Sequence, residues 1–317
     1  MLSTPWSRSF GLRAPIVNAP MGGVAGGRLA AAVTAAGGLG MVGMGSDGSR
    51  SLLADQLRHV RGRFGIGLVD WVMRNEEGLL EDALAAGPAL LSVSFGTDLS
   101  WVARAHDAKI PTATQVYDRD GARRAVDAGV DVLVARGAEG GGHGEVRLAT
   151  LPLLDAVLDA LDGAAVPVLA GGGIASPRSL AAVLAAGASG AWVGTRLAAC
   201  PEALTGDGSR RALIAARATD TAVTRAFDVA KGLPWPARFP ARVLANDFVA
   251  RWTGREDALD PPACDELAAA TAADDRSIAP VDAGQGVGMI ADDAPVSEVI
   301  EQMCAGAERL LAGWGRA

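Results

Sequence analysis

The sequence predicts an α/β fold, a TIM-type (β/α)8 barrel with a helical insertion near its C-terminal end. Three observations carry this. Short Val/Ile/Leu-rich runs recur along the chain and are continuous rather than alternating, as parallel strands buried on both faces require. Helix-like segments separate most of these runs, at the spacing of βα units. Glycine-rich loops follow the strands, on the face where such barrels place their active sites.

Strands are expected over 16–19, 39–43, 65–68, 90–94, 112–116, 132–135, 166–170 and 190–193. Eight strands suit a closed barrel better than an open doubly wound sheet. Helices are expected over 29–36, 77–86, 101–108, 118–128, 151–161 and 176–186. Gly37, Gly87, Gly129 and Gly187 supply left-handed C-caps to four of them. Ser176-Pro177 reads as an N-cap with proline in the first turn. The stretch 219–279 breaks the rhythm: it holds Trp235, Trp252 and five prolines, and is read as a helical insertion beside the barrel or over its mouth. An amphipathic helix over 296–311 closes the chain. No linker is visible, so residues 1–317 are read as one domain.

Composition excludes several classes. Half the residues are hydrophobic and the net charge is −7, with no cluster of Lys and Arg, which argues against a nucleic-acid partner. Three cysteines without a CxxC pair fit a reducing cytoplasm rather than a disulfide framework or a zinc site. The N-terminal stretch lacks the pattern of a signal peptide, and no run approaches the length of a membrane span. A homo-oligomer is left open.

Four loops carry the chemistry. Asn18, Ala19, Pro20, Met21, Gly22 and Gly23 lie at the end of strand 1, and Arg136 to Gly144 follow strand 6. Gly171-Gly172-Gly173-Ile174 follows strand 7, and Gly194-Thr195-Arg196 follows strand 8. Loops after strands 7 and 8 of a barrel commonly bind phosphate through backbone N–H groups. Thr195 adds a hydroxyl.

His143 is the sharpest feature. It follows three consecutive glycines, a run that costs conformational entropy and lets something planar approach the backbone. A histidine there can serve as base, acid or donor near neutral pH. His59 and His106 sit in charged helical surroundings and read as surface residues. Glu139 competes for the role of base, while Asp70 and Asp131 are weaker candidates. Gly38-Leu39-Gly40-Met41-Val42-Gly43 matches GxGxxG by letter, but it lies within a strand and leads into a loop, so it is not a dinucleotide fingerprint. No P-loop, HExxH or GxSxG pattern is present.

Together these motifs resemble the nitronate monooxygenase family of FMN-dependent TIM barrels. The resemblance rests on Ala19-Pro20-Met21-Gly22, Gly137-Ala138-Glu139 with Gly141-Gly142-His143, and Ala170-Gly171-Gly172-Gly173-Ile174. It extends to Trp192-Val193-Gly194-Thr195-Arg196 and Gly284-Gln285-Gly286-Val287-Gly288-Met289-Ile290. It implies FMN as cofactor, with Asn18, Ala19, Pro20, Met21 and Gly22 against the flavin ring and Gly141 and Gly142 lining it. Gly172, Gly173, Val193, Gly194 and Thr195 would hold the phosphate, and His143 would face the substrate. Two departures stand out: Gly67 replaces the family's usual flavin-touching Asn, and Arg136 replaces a Gln, placing a cation near the pyrimidine end of the ring.

The resemblance further implies oxidation of alkyl nitronates or nitroalkanes by O₂, giving a carbonyl compound and nitrite. An FMN-dependent NAD(P)H reductase, of the enoyl-acyl-carrier-protein or quinone type, is the alternative on the same scaffold. A flavin-free phosphate-binding barrel, such as an aldolase or isomerase, is a further one.

Overall fold

Continuous apolar strands must bury both faces, and the described residues, 2–313 of a computed structural model, do so in a parallel barrel. The ends of the domain read over 1–317, residue 1 and residues 314–317, lie outside the described residues. The barrel strands are β1 (Ile16–Asn18), β2 (Gly40–Met44), β3 (Phe64–Val69), β4 (Leu90–Ser94), β5 (Thr112–Val116), β6 (Val132–Arg136), β7 (Val168–Gly171) and β8 (Gly190–Val193). Each is paired in parallel with its chain neighbour, and β8 returns to β1.

The β1–β2 seam is thin. It is made by the Val17–Leu39 bridge, with Leu39 N–H donating to Ile16 O at 2.9 Å. The Asn18 amide reinforces it: Nδ2 donates to Met41 O at 2.9 Å, and Oδ1 accepts from Met41 N–H at 2.7 Å. A buried amide with these groups satisfied is a sheet clamp.

Inside, Val17, Leu39, Met41, Leu90, Val132, Val134, Leu169 and Trp192 form the interior layer, joined by Trp6 of the short N-terminal helix Pro5–Ser9. Outside lie the expected helices, at Gly27–Ala35, Leu79–Ala85, Trp101–Asp107, Arg119–Asp127, Thr150–Ala160 and Pro177–Ala185. The four expected glycine stops all have positive φ. The closing helix Val296–Gly313 packs against Gly27–Ala35 and Pro177–Ala185, completing the outer ring.

Arg50–Leu57 is a helix that the apolar pattern does not reveal, because only Leu53 and Gln56 in it are buried. Ser49 nonetheless caps it, accepting from Leu52 N–H. Among the described residues no helix is long and apolar enough to cross a membrane.

The 219–279 segment contains helices at Ala226–Ala230, Asp247–Trp252 and Pro261–Ala272, and also two strands that a helical reading omits. Thr221–Thr224 and Ala241–Leu244 pair antiparallel, and Ala241–Arg242 then pairs with Gly142–His143 of the loop after β6. Thr221–Thr224 does not alternate in burial, and Ala241–Leu244 alternates over only four residues, too short a run for periodicity to register.

Burial pushes the Cys200 thiol up to about 12 and the Cys304 thiol up to about 11. Cys264 is partly exposed. Native protein should therefore react with one equivalent of a thiol reagent at neutral pH, and with three after denaturation. A count of two or three on the native protein would contradict this burial.

Candidate active site

The loops at the C-terminal ends of the strands and the 219–279 segment together enclose a cavity of about 730 Å³. Ala19, Pro20, Met21, Gly22, Arg136, Gly141, Gly142, His143, Gly172, Gly173, Gly194 and Thr195 all line it. Asn18 and Val193, expected beside the cofactor, do not. The Asn18 side chain is consumed by the β1–β2 seam, and Val193 is fully buried in the core, where its carbonyl accepts Ala19 N–H. Both have strand geometry, whose alternation turns their side chains away from the rim.

Arg136 ends β6, and its Nη2 donates to the carbonyls of Gly140, Gly141 and Gly142 at 2.9, 3.0 and 3.0 Å. One cation thus folds the glycine loop back over the barrel. Burial opposes its charge, and its Nη1 is buried without a protein acceptor. Gly141 is packed so closely that a Cβ would lie 2.5 Å from Gly284 N. Gly284 N–H in turn donates to Thr195 Oγ1 at 3.0 Å, leaving the Thr195 hydroxyl proton free for another acceptor.

At the rim, Gly172 and Gly173 have φ of +109° and +67°. The N–H groups of Gly172, Gly173 and Gly194 make no backbone hydrogen bond within the described residues. These donors and the Thr195 hydroxyl converge beside a cavity that also presents Met21, Leu68 and Trp192. Unspent N–H groups beside an apolar slot suit a group with one anionic end and one flat end. The residues therefore fit FMN. At the departure from the usual Asn, the Pro20 ring occupies the place where a Gly67 side chain would begin.

Glu139 is spent elsewhere: its Oε2 accepts from Thr150 N–H at 2.7 Å and Thr150 Oγ1 at 2.6 Å, holding the start of the helix Thr150–Ala160. Asp70 is buried and paired with Arg74 outside the cavity lining. Asp131 binds Thr112 and His106 at the opposite end of the strands.

His143 alone of these candidates faces the cavity with its chemistry intact. Its backbone is paired with Ala241, and its ring stacks on Trp235 at 3.6 Å between centroids, tilted by 5°. Its Nε2 lies 3.0 Å from both carboxylate oxygens of Asp228. Trp235 is held in turn by its indole N–H, which donates to Ser46 Oγ at 2.9 Å. Asp282, an exposed residue, also lines the cavity. Crowding raises its pKa above the usual carboxylate value, against the pull of His143.

Asp228 and Trp235 are the neighbours of His143 that motif reading missed. Asp228 lies 85 residues from His143, in a segment with no motif, and only the packing joins them.

The nitronate monooxygenase family model matches residues 4–64 and 75–306. A nitronate monooxygenase of Paraburkholderia phytofirmans is 30% identical over 290 residues, covering 76% of each chain. A hydroxy-methyl-oxo-octahydroindene-carboxyl-CoA dehydrogenase of Mycobacterium tuberculosis is 31% identical over 252 residues, covering 78% of this chain and 68% of that one. The structure of a nitroalkane oxidase from Streptomyces ansochromogenes superposes with a TM-score of 0.81 at 28% identity, covering 97% of this chain and 99% of that one. Matched by that family's model over nearly its whole length, this parallel barrel belongs to the nitronate monooxygenase family of oxidoreductases.

Proposed function

We propose that the protein oxidises alkyl nitronates or nitroalkanes with FMN and O₂, releasing a carbonyl compound and nitrite. The observation that carries this reading is the imidazole of His143, stacked on Trp235 and bonded to Asp228 at the wall of a glycine-rimmed cavity. Gly172, Gly173, Gly194 and Thr195 hold the FMN phosphate through N–H and hydroxyl donors. Ala19, Pro20, Met21, Gly22, Gly141 and Gly142 would line the ring, and the Arg136 guanidinium would place a positive charge near it. When bound, the flavin supplies the redox chemistry.

His143 orients an anionic nitronate or removes the α-proton of a neutral nitroalkane. Trp235, Phe95 and Leu233 wall the cavity near it with apolar surface, which excludes water from the reacting carbon. The barrel and the 219–279 segment act as one unit, because the segment supplies both neighbours of the histidine. A cytoplasmic setting fits the three free cysteines.

The test is a visible spectrum of the purified protein, followed by two anaerobic titrations. Flavin bands that bleach with a nitronate but persist with NADH, and nitrite release in air, are the expected outcome. Rapid bleaching by NADH alone would instead make the protein a reductase. A colourless protein that binds no added FMN would remove the flavin reading altogether.

A further inference from the structure

A neutral imidazole carries its lone pair on one nitrogen only, so a histidine base works only in the correct tautomer. Here the choice of tautomer is made from outside the barrel. Asp228 is 7% exposed, and both its carboxylate oxygens lie 3.0 Å from His143 Nε2. An ionised carboxylate can only accept, so Nε2 must carry the proton whether the ring is neutral or charged. The lone pair of the neutral ring then falls on Nδ1, which bonds no protein group among the described residues, in a ring that lines the cavity.

The ring is also held against turning. Its backbone is paired with Ala241, one face lies on Trp235, and Trp235 is tied to Ser46 on the loop after β2. Asp282, which also lines the cavity, makes no hydrogen bond to the ring among the described residues; the partners of Nε2 are both oxygens of Asp228.

We infer that Asp228 is a positioning residue that locks His143 in the Nε2–H tautomer and presents Nδ1 to the substrate as the base. This rests on the nitroalkane reading of the site. In the step concerned, the α-C–H bond of a neutral nitroalkane breaks, its electron pair moves into the nitro group to give the nitronate, and the proton goes to Nδ1. The imidazolium so formed is stabilised by the Asp228 carboxylate. A nitronate supplied ready-made has already lost that proton and bypasses the step.

The experiment compares the wild-type holoenzyme with Asp228→Asn. Asparagine can donate its amide to Nε2 and so favours the opposite tautomer, an exchange that disables a buried Asp–His pair while leaving its geometry in place. The ratio of nitroalkane to nitronate turnover is expected to fall by roughly 10²-fold or more. In parallel, ¹⁵N-histidine NMR reads the tautomer directly. With only three histidines, His143 is assigned from the signal lost in His143→Gln.

Wild-type protein should show Nε2 protonated, and the variant Nδ1 protonated. An Nδ1–H tautomer in the wild type overturns the inference even if the variant cannot be folded, and so does an unchanged turnover ratio in a folded variant. If the wild type turns over neither nitroalkane nor nitronate, the proposed reaction falls, while the NMR spectrum still decides the role of Asp228.

Discussion

His143→Ala is expected to lower nitroalkane turnover roughly 10²- to 10⁴-fold, the range that a positioned general base contributes, while the protein keeps its flavin. The cavity would lose the one imidazole on its wall, but none of the rim donors proposed to hold the phosphate involves the His143 side chain. The variant would also leave Asp228 buried without a partner, so some loss of thermal stability should accompany the loss of activity. Steady-state oxygen consumption and the flavin absorbance of the same sample separate the two effects. Full activity in a flavin-loaded variant would remove His143 from the chemistry.

Gly172→Ala is expected to release the cofactor. Gly172 has φ +109°, a conformation that a side chain strains, and a Cβ there would sit 2.8 Å from Thr150 Oγ1, 3.0 Å from Gly137 O and 3.1 Å from Gly140 N. Those atoms belong to the loop after β6 and the helix it starts, so relieving the strain moves the loop that carries Gly140 on the cavity wall. Backbone strain of about 1–3 kcal/mol corresponds to FMN affinity weakened by roughly 5- to 150-fold. Quenching of flavin fluorescence on titration measures it. Gly163→Ala is the control: it also has positive φ, at +83°, but it lies beyond the far end of the helix Thr150–Ala160, with nothing within 4 Å of its Cβ. Equal loss of FMN in both variants would trace the effect to general destabilisation.

These expectations divide along the line between local and distant information. Burial on both faces leaves a mark on the strand itself, so the runs of β1 to β8 were readable to within about two residues at each end. Rim glycines were readable for the same reason: a positive φ, as at Gly172 and Gly173, restricts the residue type at its own position. Trp235 was visible only as a tryptophan in an irregular stretch, and the strands on either side of it left no periodic trace.

What the sequence determined alone, then, was the barrel, the rim and the presence of a histidine among its glycines, because each is dictated by the burial and backbone angles of a few consecutive residues. Tertiary structure alone decided how the polar groups are spent. It turned the Asn18 amide into the β1–β2 seam, set Glu139 on the start of a helix, wrapped three loop carbonyls around Arg136, and brought Asp228 from 85 residues away onto His143. A hydrogen bond is satisfied by whatever partner the packing delivers, and no local pattern records which one that will be.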